Sequence, residues 1–184
     1  MRVISGTARG TKLYTLEGNQ TRPTLDRVKE SLFNMINMQI KDATILDLFS
    51  GSGAIGIEFI SRGAKKAFLC DTSKEAINII RKNVEKTKMQ DKIIILQENF
   101  KSCLEKQIEK FDFIYIDPPY ASSFAKEAVE IIIKKDLLKS EGSIVIETDN
   151  AKQVIEELNM LNMPIEIYKQ KKYGRVELLF IRKG

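Results

Sequence analysis

Residues 44–56 read TILDLFSGSGAIG: an apolar run that meets an aspartate, crosses a glycine loop and enters a helical pattern. Gly51, Gly53 and Gly56 form a complete GxGxxG between strand and helix, as in cofactor-binding loops of parallel sheets. Beyond this unit, strands continue to alternate with helices. A helix over 54–61 leads to KAFLCD (66–71), and Ser73 then caps a helix whose apolar positions include Ile77, Ile80 and Val84. KIIILQ (92–97) is the third strand, followed by a helix over 100–106. FDFIYID (111–117) is the fourth, and a helix over 123–135 leads to GSIVIE (142–147), the fifth. Strands apolar on both faces belong in a parallel sheet covered by helices. The expected fold is therefore α/β, a doubly wound Rossmann-like sandwich.

The two ends follow other patterns. RVISG (2–6) and TKLYTL (11–16) predict a short β-hairpin turning at 8–10. Thr24 is placed to cap a helix with apolar positions Leu25, Val28, Leu32, Met35 and Ile36, ending near Ile40. PIEIYKQKKYG (164–174) and RVELLFIRKG (175–184) predict an antiparallel hairpin, turned at Tyr173 and Gly174, that closes one edge of the sheet. With no repeat and no linker, the expectation is one domain over 1–184, in which a hairpin and helix over 1–41 extend a core over 42–184.

Composition narrows the chemistry. The chain is 43% apolar and 30% charged, with no apolar run approaching the ~18–20 residues that span a bilayer. MRVISGTARG holds no signal-peptide core, so a cytoplasmic location is expected. Cys70 and Cys103 lack CxxC spacing and read as small buried filler. There is no histidine, which removes serine–histidine triads, histidine bases and most metal sites; no metal is expected. The net charge of +5 is uneven: residues 1–30 carry +3, residues 169–184 carry +5, and the 138 between them carry −3. Basic ends on a nearly neutral body suit a polyanionic partner, although solvated lysines would give the same count.

The glycine loop alone is shared by nicotinamide, flavin and S-adenosylmethionine (SAM) sites. Asp47 separates them. A pyrophosphate at this loop would be repelled by a nearby carboxylate, whereas the ammonium and sulfonium of SAM would be attracted. Asp71 follows Gly51 by 20 residues at the tip of the second strand, where a carboxylate can accept from both ribose hydroxyls. The pair favours SAM.

A second strand tip reads IDPPY (116–120). Open α/β sheets bind ligands at the carboxyl ends of their strands, so this tip opens toward the same crevice. Pro118 and Pro119 have fixed φ and no N–H, which turns the backbone sharply and leaves its carbonyls without competing donors. The Asp117 carboxylate and the Pro118 carbonyl then form two acceptors suited to a planar NH2 group, with Tyr120 as a face on which a base can stack. Held by its hydrogens, a nucleobase amine would aim its lone pair at an electrophilic methyl, and catalysis would be chiefly positioning.

Together, DLFSGSGAIGIE, DPPY and TRPTLDRVKESLFN (21–34) resemble the RsmD family, bacterial methyltransferases that modify the N2 amine of one guanine in 16S ribosomal RNA. The resemblance runs nearly end to end. The aspartate-proline-proline-aromatic tetrad is shared with DNA amino-methyltransferases, so it specifies only amine methylation; the N-terminal segment makes the narrower match. The resemblance implies a seven-stranded sheet with its last strand antiparallel. It implies SAM as cofactor, held by Asp47, Phe49, Ser50, Gly51, Ser52, Gly53, Asp71, Thr72 and Asn99. It implies a catalytic tetrad of Asp117, Pro118, Pro119 and Tyr120. Phe100 departs from the family pattern, where a small residue is usual, and either packs on the adenine or enters the core. For 16S rRNA or the small subunit as partner, the RNA contacts expected are Arg9, Lys12, Arg22, Arg27, Lys171, Lys172 and Arg175. Arg22 and Arg27 could instead pair internally with Asp26 or Glu30.

Competing readings are a DNA adenine-N6 methyltransferase, a module that holds SAM or a nucleotide without catalysis, and a nicotinamide-dependent reductase. Nothing in the sequence requires more than a monomer.

Overall fold

The computed structural model describes residues 1–16, 23–119 and 122–184; the expected site residues Arg22 and Tyr120 lie outside this set. The core is a seven-stranded sheet. Its strands are β1 (Thr44–Leu48), β2 (Lys66–Asp71), β3 (Ile93–Gln97), β4 (Phe111–Ile116), β5 (Leu138–Thr148), β6 (Ile165–Tyr173) and β7 (Val176–Lys183), in the order β3-β2-β1-β4-β5-β7-β6. The first five are mutually parallel, and β7 runs antiparallel to both β5 and β6. The chain winds outward from β1 in one direction and from β4 in the other. The crevice between β1 and β4 is therefore the topological switch point, where doubly wound sheets bind ligands.

Every residue of β1 is buried, which accounts for its unbroken apolar run. One face of the sheet packs Ile45, Leu69, Phe113 and Phe180 against α1 (Pro23–Ile36), α2 (Ala54–Ser61) and α3 (Lys74–Thr87). The other packs Leu48, Ile116 and Ile146 against α4 (Phe100–Lys106), α5 (Phe124–Lys134) and α6 (Ala151–Asn159). Ser73 caps α3 as expected, its side chain accepting from the Ala76 N–H. The terminal hairpin is also as expected, with β7 inside the sheet and the lysine-rich β6 on its edge, where charge discourages further strand pairing.

Three expectations are corrected. The N-terminal hairpin is reduced to a single antiparallel bridge, Arg2 with Lys12. Val3 still donates to the Thr11 carbonyl and Leu13 to the Met1 carbonyl, each at 3.0 Å, but the donors nearer the turn are used elsewhere. Ile4 and Ser5 donate to the Glu58 carboxylate at 2.8 and 3.0 Å, and Thr7 donates to the Ser61 carbonyl at 2.8 Å. Gly6, at φ +82°, approaches Ser61 so closely that a Cβ would lie 1.8 Å from the Ser61 carbonyl oxygen. Second, α1 begins at Pro23, so Thr24 lies inside the helix rather than capping it; proline is well suited to a first helical position. The α-helix ends at Ile36, and a 3-10 turn over Asn37–Gln39 completes the segment. Third, α6 fills an interval to which the sequence reading assigns no element. Asn150 caps it by accepting from the Gln153 N–H, and Ala151 and Leu158 are buried on the sheet.

No helix among the described residues is long and apolar enough to cross a membrane, and these residues contain no metal-ligand cluster.

Candidate functional site

At the end of β1, Phe49 takes a left-handed backbone, φ +63°, which is costly for a non-glycine residue. Its ring is held by Phe100 and Phe124, with centroids at 5.3 and 6.1 Å. Phe100 is itself buried against Phe124, so it enters the core. The turn at Phe49 lets the Ser50 N–H reach the Cys70 carbonyl at 2.9 Å. Gly53, at φ +76°, starts α2, and Gly56 lies so close to β2 that a Cβ would meet Leu69 Cδ2 at 2.0 Å. The loop is thus bent and pressed onto the sheet by glycine at two different points.

Asp71 binds this loop from the neighbouring strand. Its Oδ2 accepts from the Gly51 N–H and its Oδ1 from the Ser73 N–H, each at 2.9 Å. Thr72 is exposed beside it. Asn99 is also exposed, and its Oδ1 caps α4 by accepting from the Ser102 N–H at 2.9 Å. Ser52 is fixed by a residue the sequence reading did not single out. Asn83, fully buried on α3, donates to the Ser52 carbonyl at 2.9 Å and exchanges two hydrogen bonds with the Tyr14 backbone. Its signal in the sequence is an amide on the apolar stripe formed by Ile77, Ile80 and Val84.

Asp47 is 2% exposed. Its Oδ2 accepts from the Gly56 N–H at 3.2 Å, while the Ser50 hydroxyl donates to its backbone carbonyl at 2.6 Å. Burial, reinforced by the negative charge of Asp71 and only partly opposed by the Gly56 hydrogen bond, pushes its pKa up to about 8. No cation among the described residues pairs with this buried carboxylate, so a positively charged ligand group would be a favourable partner.

On the other side of the switch point, β4 delivers Asp117. The β4–β5 register pairs Tyr115 with Val145 and Ile116 with Ile146, so one residue further Asp117 comes level with Glu147. Side chains alternate along a strand, and Asp47 is paired with Tyr115. Asp47, Asp117 and Glu147 therefore share one face at the ends of three adjacent strands. The Tyr115 hydroxyl donates to Glu147 Oε2. Loss of hydration under the strand ends, then the charges of Glu147 and Asp47, raise the pKa of Asp117 well above its ordinary range. Asp117 is nonetheless exposed at the strand end, so water moderates the desolvation. Glu147 is raised as well, by burial, against the opposing hydrogen bond from Tyr115. Pro118, Pro119, Glu147, Thr148 and Asn150 line a small cleft beside this group. The sequence does carry a signal for Glu147: GSIVIE ends on an acid, as do the strands ending at Asp71 and Asp117.

The expected RNA contacts divide. Arg9, Lys12, Arg27, Lys171 and Arg175 are exposed, and Arg27 forms none of the ion pairs found among the described residues. Lys172 is tied to Glu177 across the hairpin at 3.2 Å, so it is less available than expected. Lys171 alternates to the opposite face of β6, level with Leu178 and on the same side as Tyr173, whose hydroxyl bonds Ser31 of α1. That places Lys171 on the face of the sheet covered by the N-terminal segment.

The sheet order and the acid-flanked glycine crevice define a Rossmann-like methyltransferase fold. The solved structures that resemble it agree. One titled "Putative methyltransferase yhhF from Escherichia coli" superposes with a TM-score of 0.85 at 28% identity, covering 100% of this chain and 97% of that one. A structure titled "putative methylase HI0767 from Haemophilus influenzae" gives 0.80 at 30% identity, covering 99% and 97%. Among sequence relatives, ribosomal RNA small subunit methyltransferase D of H. influenzae is 35% identical over 84% of this chain and 82% of its own length. The E. coli protein of that name is 32% identical over 81% and 75%. Residues 1–182 match the family described as conserved hypothetical protein 95, and the chain belongs to this family, the RsmD family of methyltransferases.

Proposed function

We propose that the protein transfers a methyl group from SAM to the exocyclic N2 amine of a specific guanine in 16S rRNA, in the cytoplasm. The observation that carries this reading is the meeting, at one switch point, of an acid-flanked glycine loop and a strand tip ending in Asp117-Pro118-Pro119. The names of the relatives add the substrate class, small-subunit ribosomal RNA.

The residues present fit SAM. Asp47 offers a buried carboxylate in need of a cation, Asp71 keeps unused lone pairs beside the loop, and a Cβ built at Gly51 meets nothing within 4 Å, which leaves room for a ligand. When bound, SAM supplies a methyl group on a positive sulfur. Asp117 and the Pro118 carbonyl would hold the two hydrogens of the amine and orient its lone pair, a positioning effect worth up to roughly 7–11 kcal/mol. Asp117 need not be a strong base, because the amine becomes acidic only as the new bond forms. Tyr120 would stack on the flipped base, and the exposed cations near both chain ends would hold the RNA backbone.

The test is incubation with labelled SAM and either unmethylated small ribosomal subunits or adenine-containing duplex DNA, followed by mass mapping of the product. Label on a single guanine N2 of 16S rRNA is expected. Label only in DNA would reverse the assignment in favour of an adenine-N6 enzyme.

A further inference from the structure

The Asp-Pro-Pro clamp accepts any nucleobase amine, so something else must choose the base. We propose that Glu147 selects guanine by accepting a hydrogen bond from its ring N1–H while Asp117 and Pro118 hold the adjacent N2 amine. This rests on the reading of the clamp given above and adds the residue that discriminates.

Three observations carry the inference. Glu147 comes level with Asp117 on the neighbouring strand and on the same face of the sheet, and adjacent strands lie about 4.8 Å apart. One edge of one base can reach both. Glu147 also lines the cleft beside Pro118 and Pro119. Finally, the Tyr115 hydroxyl engages only Oε2, which fixes the carboxylate, and among the described residues Oε1 receives no hydrogen bond. Other polar groups of the cleft are engaged locally: Thr148 accepts from the Asn150 N–H, and the Asn150 side chain bonds Gln153.

The chemistry then separates the bases. Next to its exocyclic amine, guanine presents a ring N–H donor, whereas adenine and cytosine present a bare ring nitrogen, an acceptor. A carboxylate welcomes the first and repels the others, and a flipped base is read on this edge. Glu147 is thus a specificity-determining residue, held in place by Tyr115.

The experiment compares wild type, Glu147→Gln and Tyr115→Phe on reconstituted small subunits carrying either guanine or 2-aminopurine at the mapped position. 2-Aminopurine keeps the N2 amine but replaces N1–H with a bare nitrogen. Wild type should favour guanine in kcat/KM by about 10- to 100-fold, the discrimination expected of a well-placed base contact. Glu147→Gln should abolish or reverse that preference, since its amide can donate to the bare nitrogen, while SAM affinity stays within about twofold. Tyr115→Phe should keep the direction of the preference and reduce its size. Equal loss on both substrates would make Glu147 a structural support, and an unchanged preference would make it a bystander; either overturns the inference. Wild-type label on a base other than guanine would instead overturn the underlying reading, which the wild-type product alone reveals.

Discussion

Asp117 and Glu147 end neighbouring parallel strands level with each other and on one face, so two carboxylates that are 30 residues apart in sequence titrate within each other's field. To hold an amine by its hydrogens Asp117 must be ionised, and its raised pKa moves that requirement to higher pH. The acid limb of the kcat/KM profile should therefore lie above the range of an ordinary carboxylate. Glu147→Gln removes a neighbouring negative charge and should shift the limb toward lower pH. A limb that does not move would assign it to another group.

Asp47 carries the opposite lesson for stability. Its folded pKa of about 8 lies far above the ~3.9 of an unfolded chain. Between those values the unfolded state has released a proton that the native state retains, so stability without ligand falls as pH rises from about 4 to about 8. Asp47→Asn should raise the Tm of the ligand-free protein at pH 8 and change it little near pH 4. Each 1 kcal/mol relieved should appear as about 2–4 °C for a chain of this size. The same variant should bind SAM more weakly, because a cation partner has gone. Calorimetry and titration with SAM would read the two effects separately.

Asp117→Ala should leave the SAM affinity intact and reduce kcat by about 100- to 1,000-fold, the range for loss of one preorganised polar contact in a transition state. Equilibrium binding and single-turnover methylation on the same preparation check this. Methylation at the wild-type rate would remove the clamp mechanism.

Glu58 is fully buried and gathers Lys29, Arg62 and the N–H groups of Ile4 and Ser5. Removing it leaves two buried cations and two backbone donors without their partner. Glu58→Ala should cost about 3–5 kcal/mol by denaturant unfolding. It should also free the first residues from α2, seen as faster amide exchange at Ile4 and Ser5. A neutral effect would show that water replaces the carboxylate.

The parallel strands and the helices between them were legible because the strands hold continuous apolar runs, even at the half-exposed edge strand β3, and amphipathic helices repeat at 3.6 residues. The helix bounds 54–61 and 100–106 match α2 and α4. The glycine loop was legible because it is a local string. What was not legible is lateral. Nothing along the chain says that Glu147 stands beside Asp117, since that depends on the register of β4 against β5. Asn83 was missed for the same reason, because its side-chain partners, Tyr14 and Ser52, lie on segments remote in sequence. The N-terminal hairpin was over-extended because strand propensity takes no account of a glutamate in α2 that captures the N–H groups of Ile4 and Ser5.

The place of β7 between β5 and β6 has a consequence for biosynthesis. As the ribosome extends the chain, β6 emerges before the strand that must separate it from β5, and among the described residues β7 is its only neighbour in the sheet. β6 therefore waits for β7 to follow it out of the exit tunnel before it can join the sheet. During that interval the margin of the parallel sheet is β5, whose Ile144, Val145 and Ile146 are buried in the finished fold, and an unpaired strand edge of this kind invites aggregation.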